Sequence, residues 1–225
     1  TCALPISHIW IIAWFHKAPR NILRTRPGKV NPDLPEYGVF ALRSFARPNP
    51  VALSLVKLVK VEYNRLYVEG LDAIDGTPII DIKPYFENDI IFSPVTPHIC
   101  GKKRDMRQGR FLKQALTHHQ ERCTDLLIGV RMAVIAEEIF GHLNSQDLLV
   151  EVSGSGCLAD TIQGLSRARV ANPARLLYSP SENLVATVWS KDNKVLRLTI
   201  KQEYTEDNIF TLEDDELFEI ALYKG

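Results

Sequence analysis

Apolar and polar residues alternate through much of the first third of the chain, the period of a strand with one wet face. Residues 52–63 (ALSLVKLVKVEY) show it most clearly, and after a turn at Asn64-Arg65 residues 66–74 (LYVEGLDAI) return as the second arm of a hairpin. Two flanking segments also read as strands: 8–16 (HIWIIAWFH), a near-continuous apolar run, and 79–85 (IIDIKPY). Residues 38–44 (GVFALRS) read as a further short strand. Between them lie stiff, turn-forming stretches. Residues 17–37 are basic and punctuated by Pro and Gly, and Asp75-Gly76-Thr77-Pro78 is a turn in which Asp caps, Gly takes positive φ and Pro stiffens. Short strands joined by rigid turns predict an all-β small barrel or sandwich.

The pattern changes after residues 86–105, which carry prolines and then the charge cluster Lys102-Lys103-Arg104, read as a solvated linker. Residues 106–120 and 124–141 have helical periodicity. In the second, Leu126/Leu127, Val130, Ala133/Val134 and Glu137 recur at helical spacing, Thr124 or Asp125 is placed to cap the start, and Gly141 sits where a helix ends. Residues 147–154 read as a strand and 157–168 as a helix opened after small residues. Strands follow at 174–179, 183–190 and 195–204, the last two joined at Lys191-Asp192-Asn193, before an acidic tail. The second half is thus α+β, and the expected domains span residues 7–100 and 106–225.

Composition adds a little. Hydrophobic residues make up 45% and charged residues 24%, enough for a sizeable core. Net charge is zero, yet residues 1–105 hold 14 Lys and Arg against 10 Asp and Glu, and the remainder has the opposite imbalance, which suggests two units with different partners. No apolar run reaches the length of a membrane span, so no membrane partner is expected. Cys2, Cys100, Cys123 and Cys157 are scattered without a CxxC, which points to a cytoplasmic protein rather than a disulfide scaffold. The chain opens without Met or a signal-like segment and passes abruptly into a strand, so the first domain is expected to be truncated at its N-terminus, with residues 1–6 foreign to it.

Three blocks, 7–17 (SHIWIIAWFHK), 38–58 (GVFALRSFARPNPVALSLVKL) and 71–85 (LDAIDGTPIIDIKPY), resemble in order and spacing the family of S-adenosylmethionine-dependent tRNA adenine N6-methyltransferases. The resemblance implies a small β-barrel that methylates N6 of threonylcarbamoyl-adenosine beside the tRNA anticodon and works as a homodimer with its active site between subunits. It implies cofactor contacts from His16, Lys17, Arg43, Leu53, Asp75, Gly76 and Thr77. Arg47 is assigned to the substrate, meeting tRNA phosphate, although its chemistry suits the cofactor equally. These residue types fit: a guanidinium clamps the carboxylate of S-adenosylmethionine, and apolar side chains wall its adenine. Methyl transfer from a reactive donor needs positioning more than a strong base, which suits a proline-stiffened loop bearing Arg43 and Arg47. The family's ATRSP reads ALRSF here and its NPIGLS reads NPVALS, placing Leu42 and Ala52 where Thr and Gly are usual; the family's Pro-Arg-Gln-like cofactor segment is absent. The strand 8–16 is therefore expected to expose an unpaired edge, through which copies pair. His8, Trp10 and Trp14 read as packing residues.

In the second half, residues 118–133 and 155–168 resemble the FmdE family, associated with formylmethanofuran dehydrogenase. His119 and Cys123 match its first His and its Cys, Glu121 stands where its second His would be, and Cys157 and Asp160 match a second motif. The resemblance implies an appended metal-binding module in which His119, Cys123 and Cys157 hold a zinc ion with one open position, or a metal-free relic of such a site. His118 and His142 read as surface residues. The alternative to a methyltransferase is a non-catalytic metal- or small-ligand-binding protein whose barrel fragment is inert.

Overall fold

The computed structural model describes residues 6–201 and 204–224, so Cys2 and the rest of the segment expected to be foreign, apart from Ile6, lie outside the described residues. The chain divides into two compact units, with the break between Ile91 and Phe92. That break falls inside the stretch 86–105, earlier than residue 100, because Ser93 and Pro94 bond to Arg167 and Asn144.

Unit 1 is built on a four-stranded antiparallel sheet. Its strands are β1 (His8–Trp14), β4 (Val51–Glu62), β5 (Arg65–Glu69) and β6 (Ile79–Pro84), in the order β5-β4-β1-β6. A two-stranded ribbon, β2 (Arg24–Thr25) with β3 (Tyr37–Gly38), organises the long basic loop. The hairpin β4–β5 forms as its alternation predicts, with Tyr63 taking the positive φ of the turn.

Three expectations are corrected here. The unit is an open sheet, since a barrel closes only by pairing its outermost strands and β5 and β6 lie at opposite edges. Strand β1 is central, paired along one side to β4 and along the other to β6, so it exposes no edge for a second copy. Its apolar residues on both faces are the mark of an interior strand. Residues Val39–Ala41 form a 3-10 turn rather than a strand: Val39 is fully buried and anchors the turn, while Phe40 swings out beneath Arg47, whose guanidinium lies 5.0 Å from the ring centre.

Unit 2 is a mixed five-stranded sheet covered by three helices. The helices are α1 (Arg104–His119), α2 (Thr124–Phe140) and α3 (Gly156–Ser166); the strands are β7 (Leu149–Gly154), β8 (Leu176–Pro180), β9 (Ala186–Lys191), β10 (Lys194–Ile200) and β11 (Phe218–Lys224). The order is β11-β10-β9-β7-β8, antiparallel except for β7–β8, whose parallel pairing is what the α3 crossover permits. Val150, Val152, Leu176, Trp189, Leu196 and Leu198 turn one face of the sheet into the core, and α2 is buried along almost its whole length against α1, α3 and β9. The acidic tail is structured too: a one-turn helix α4 (Asp214–Leu217) leads into β11. Buried Arg131 of α2 holds it by donating to the Ile209 and Leu212 carbonyls and to Asp214 Oδ1. Among the described residues no helix is long and apolar enough to cross a membrane.

Two glycines set how closely the helices approach. A Cβ on Gly129 of α2 would lie 2.7 Å from Thr161 of α3, and one on Gly164 of α3 would lie 2.5 Å from the His118 ring of α1. Only hydrogen fits at either place, and this closeness brings three helix ends together.

Candidate functional sites

In unit 1, antiparallel pairing gathers the three sequence blocks at one end of the sheet. Trp14 ends β1 opposite Val51 of β4; its N–H donates to Pro78 O, and the Phe15 N–H donates to Pro50 O, both at 2.9 Å. The proline loop, the end of β1 and the Asp75-Gly76 turn therefore become neighbours although Trp14 and Asp75 are 61 positions apart. Thr77 fastens that turn, its hydroxyl donating to Ile74 O at 2.6 Å while Gly76 takes φ +73°. Arg20 fastens the proline loop, its Nε donating to Pro48 O at 3.0 Å.

A cavity of about 450 Å³ opens at this end, lined by Phe15, His16, Lys17, Lys29, Phe45 and the stretch Asp72-Ala73-Ile74 with Thr77. Of the predicted residues, His16, Lys17 and Thr77 line it, and Asp75 and Gly76 belong to the turn that forms one wall. Arg43 is exposed on the proline loop and Leu53 points outward from β4; neither lines the cavity. Arg47 packs on Phe40, and its buried Nε has no hydrogen-bond partner among the described residues. Sequence reasoning missed Lys29, Phe45, Asp72 and Ile74. Asp72 and Ile74 sit in the third block and Phe45 between the two arginines, so proximity to the motifs was the signal available; Lys29 in its irregular loop carried none.

In unit 2, the C-terminus of α1 and the N-termini of α2 and α3 converge and bring His119, Cys123 and Cys157 together, with one ligand atom from each all within 4.8 Å of one another. Cys123, not Thr124 or Asp125, is the N-cap of α2: its Sγ accepts the Leu126 N–H at 3.4 Å, a thiol serving where an oxygen is usual. Asp125 is engaged elsewhere, accepting from the hydroxyls of Ser155 (2.5 Å) and Tyr204 (3.0 Å).

Asp160 orients the imidazoles. His119 Nδ1 lies 2.7 Å from Oδ2 and His118 Nε2 lies 3.1 Å from Oδ1. An ionised carboxylate only accepts, so His119 presents its Nδ1–H to Asp160 and its Nε2 to Cys123 Sγ, 3.6 Å away. His118, expected on the surface, is mostly buried between Asp160, Gly164 and Phe92. His142 is likewise packed, stacked on His98 with ring centres 4.4 Å apart. Partial burial pushes the Cys157 thiol up, and Cys123, Asp125 and Glu121 add to the effect. Burial, then Asp125, pushes the Tyr204 hydroxyl up as well. A cavity of about 470 Å³ lined by Asp125, Ser155, Tyr178, Ser181 and Glu182 opens beside the first turn of α3.

Both sequence resemblances are met by known families. Residues 4–89 match the family described as tRNA-methyltransferase O N-terminal domain, and residues 118–219 match FmdE, described by the molybdenum formylmethanofuran dehydrogenase operon. A relative from Archaeoglobus fulgidus named "Probable S-adenosyl-L-methionine-binding protein" is 32% identical over 219 residues, covering 94% of this chain and 59% of its own length. It thus aligns across both segments, and the chain spans about three-fifths of it. A tRNA (adenine(37)-N6)-methyltransferase from Mus musculus is 44% identical over 79 residues, 35% of this chain and 18% of that protein. A crystal structure of TrmO shares 20% identity at a TM-score of 0.33, covering 88% of this chain and 70% of that one.

Proposed function

We propose that unit 1 is the S-adenosylmethionine-binding part of a cytoplasmic methyltransferase acting on N6 of threonylcarbamoyl-adenosine beside the tRNA anticodon, with unit 2 as a zinc-binding module. One observation carries the reading: three motif blocks, dispersed in sequence, meet at one end of the sheet around a single cavity. The relatives named for S-adenosylmethionine binding and tRNA adenine methylation support it.

The residues present fit the cofactor. The cavity has the size of a small-molecule site. Phe15, Phe45 and Ile74 offer an apolar wall for adenine, Asp72 a carboxylate for ribose hydroxyls, and Lys17 and Lys29 ammonium groups for the cofactor carboxylate. When bound, S-adenosylmethionine supplies a methyl group already activated by its sulfonium. The chain then has to hold donor and acceptor in line, a task for the Asp75–Thr77 turn and His16 at the rim. Arg43 and Leu53 are assigned to the cofactor by the resemblance alone. Arg47, with its unsatisfied Nε, is offered to tRNA phosphate. A homodimer is part of the same proposal. Since β1 has no free edge, the dimer rests instead on the exposed side chains of Val51, Leu53 and Leu55, which lie beside Trp14, Ile12 and Trp10.

In unit 2 the donor set suits zinc: one imidazole and two thiols, with Asp160 behind the imidazole as the outer carboxylate such sites use. Metal bound there would also relieve the crowding of two thiols beside Asp125 and Glu121.

Titration calorimetry with S-adenosylmethionine, followed by transfer of labelled methyl to tRNA carrying threonylcarbamoyl-adenosine, tests the first unit. Saturable binding with methyl incorporation is the expected result. Absence of both, with zinc retained, would leave the non-catalytic binding protein standing.

A further inference from the structure

A second group of metal-binding side chains lies in unit 2. Its members are His98 and Cys100, from the segment before α1, and Glu137, from the last turns of α2. It is separate from the His119 group. Cys123 caps the start of α2 and Glu137 lies 14 positions further on, a rise of about 20 Å along the helix. His98 and Cys100 also fall outside both family-matched segments.

The geometry is that of a built cluster. His98 Nε2 lies 3.7 Å from Glu137 Oε1, Cys100 Sγ lies 3.7 Å from Oε2, and the three ligand atoms are all within 4.8 Å of one another. The Glu137 side chain is 1% exposed, so its charge needs compensation inside the protein. Arg110 supplies part of it, its Nη2 donating to Oε1 at 2.5 Å. That ion pair accounts for one oxygen of the carboxylate. The Cys100 thiol faces the other oxygen as a hydrogen-bond donor, and the His98 imidazole approaches Oε1 beside Arg110, so a nitrogen, a sulfur and a buried carboxylate converge on one point. His142, stacked on His98 at an interplanar angle of 18°, fixes the plane of the ligating ring.

We propose that His98, Cys100 and Glu137 form a second site for a divalent transition-metal ion, independent of the one at the helix termini. One nitrogen, one sulfur and one oxygen ligand suit zinc or cobalt(II) and disfavour magnesium and calcium, which prefer oxygen alone. Glu137 would bind through Oε2, leaving Oε1 to Arg110, and Cys100 would ligate as thiolate, its proton released to solvent. A fourth position is left for water.

The test uses the full chain, freed of metal with a chelator, dialysed to equilibrium against zinc and assayed for bound metal. Cobalt(II) substitution reports thiolate ligation through its charge-transfer band. Cys100→Ser is expected to lower zinc content by one ion per chain and to remove part of the cobalt–thiolate absorbance. Cys157→Ser is expected to remove a different ion, so the double variant loses both. His98→Gln, at a partly exposed position, provides a second route should Cys100→Ser disturb folding, which circular dichroism reports. Zinc content unchanged in folded Cys100→Ser and His98→Gln proteins would overturn the proposal, as would a wild-type chain holding no zinc, or one ion lost entirely with Cys157→Ser. A single ion lost with Cys100→Ser and retained in Cys157→Ser would uphold this site and remove the other.

Discussion

The two units solve the placing of a site in opposite ways. Unit 2 surrounds its candidate metal ligands with a continuous core running from Phe111 through α2 to Trp189 and Phe218, and its ligands sit on helix ends that this core holds. Among the described residues, unit 1 has a small core cluster of Ile9, Ile11 and Val56, with Leu58 and Val68 against it, and its cavity is lined by residues outside the strands. The difference separates two sources of order. In unit 2 packing fixes the ligands before anything binds, whereas in unit 1 backbone hydrogen bonds and prolines fix the loops, and a ligand has to supply part of the order itself.

The largest test of this contrast is truncation in each sheet. Trp189, fully buried with its Nε1 donating to Thr187 Oγ1 at 2.9 Å, anchors the inner face of the unit 2 sheet. Trp189→Ala is expected to destabilise that unit by about 3–5 kcal/mol. Leu53→Ala on β4, a position 55% exposed, should change stability by no more than about 0.5 kcal/mol in the monomer. Urea unfolding of both variants checks the pair. Equal losses would mean that the outer face of β4 is covered in solution, which would support the dimer.

A second test probes preorganisation in unit 2. Asp160→Asn keeps size but puts an amide opposite His118 and His119, so His119 Nδ1–H loses its charged acceptor. Zinc affinity is expected to fall about 10- to 100-fold, the usual effect of removing an outer carboxylate. The unfolding midpoint of the metal-free protein should hardly move, because Asp160 is 42% exposed. Unchanged affinity, measured by competition with a chelator, would put Asp160 in a merely structural role.

How much of this was legible beforehand follows the same division. Helices α1, α2 and α3 were readable from apolar residues at helical spacing, and α2, although buried on nearly every side, ends at Gly141 as expected. His119, Cys123 and Cys157 were readable as a group only through motif resemblance, since no local rule joins residues 34 positions apart. The Cys123 cap was missed because a thiol stands where preferences name Ser, Thr, Asp or Asn, and the burial of His118 because it depends on the missing side chain of Gly164. Strand β11 was missed because its acidic lead-in disguises a segment tied down by Arg131. In unit 1 the strands were clear and the closure was not: alternation tells which residues share a face, but not which edges pair. The cavity residues Phe45 and Lys29 sit on loops, where position is set by distant partners.

Within unit 1 the contrast sharpens around its two kinds of cation. Lys17 lines the cavity and Arg43 does not. Lys17→Ala is expected to weaken S-adenosylmethionine binding about tenfold, the scale of one exposed charge-assisted hydrogen bond. Arg43→Ala tests the assignment that rests on resemblance: a comparable loss by calorimetry would show that the proline loop folds over the bound cofactor. An effect under twofold would leave Arg43 to the tRNA side.

The smallest expected effect is a pH dependence confined to unit 2. Burial holds the His98 imidazole below the usual histidine value of 6.5, with Arg110 adding to it and Glu137 opposing. His142 is lowered by burial and then by His98, with Arg110 and Lys191 contributing and Glu137 opposing. The unfolded chain therefore takes up protons on these rings more readily than the folded one between the lowered values and 6.5. By linkage, their stability contribution is complete above about pH 6.5 and declines as pH falls through that window, levelling once both states are protonated. Metal-free protein should thus show a urea midpoint that drops on acidification from about pH 7 towards pH 5. In the His98→Gln, His142→Gln double variant the drop should flatten, because no ring remains there to protonate. If wild type and double variant decline in parallel, the pair does not carry the pH dependence, and the protonation that weakens unit 2 lies elsewhere in the fold.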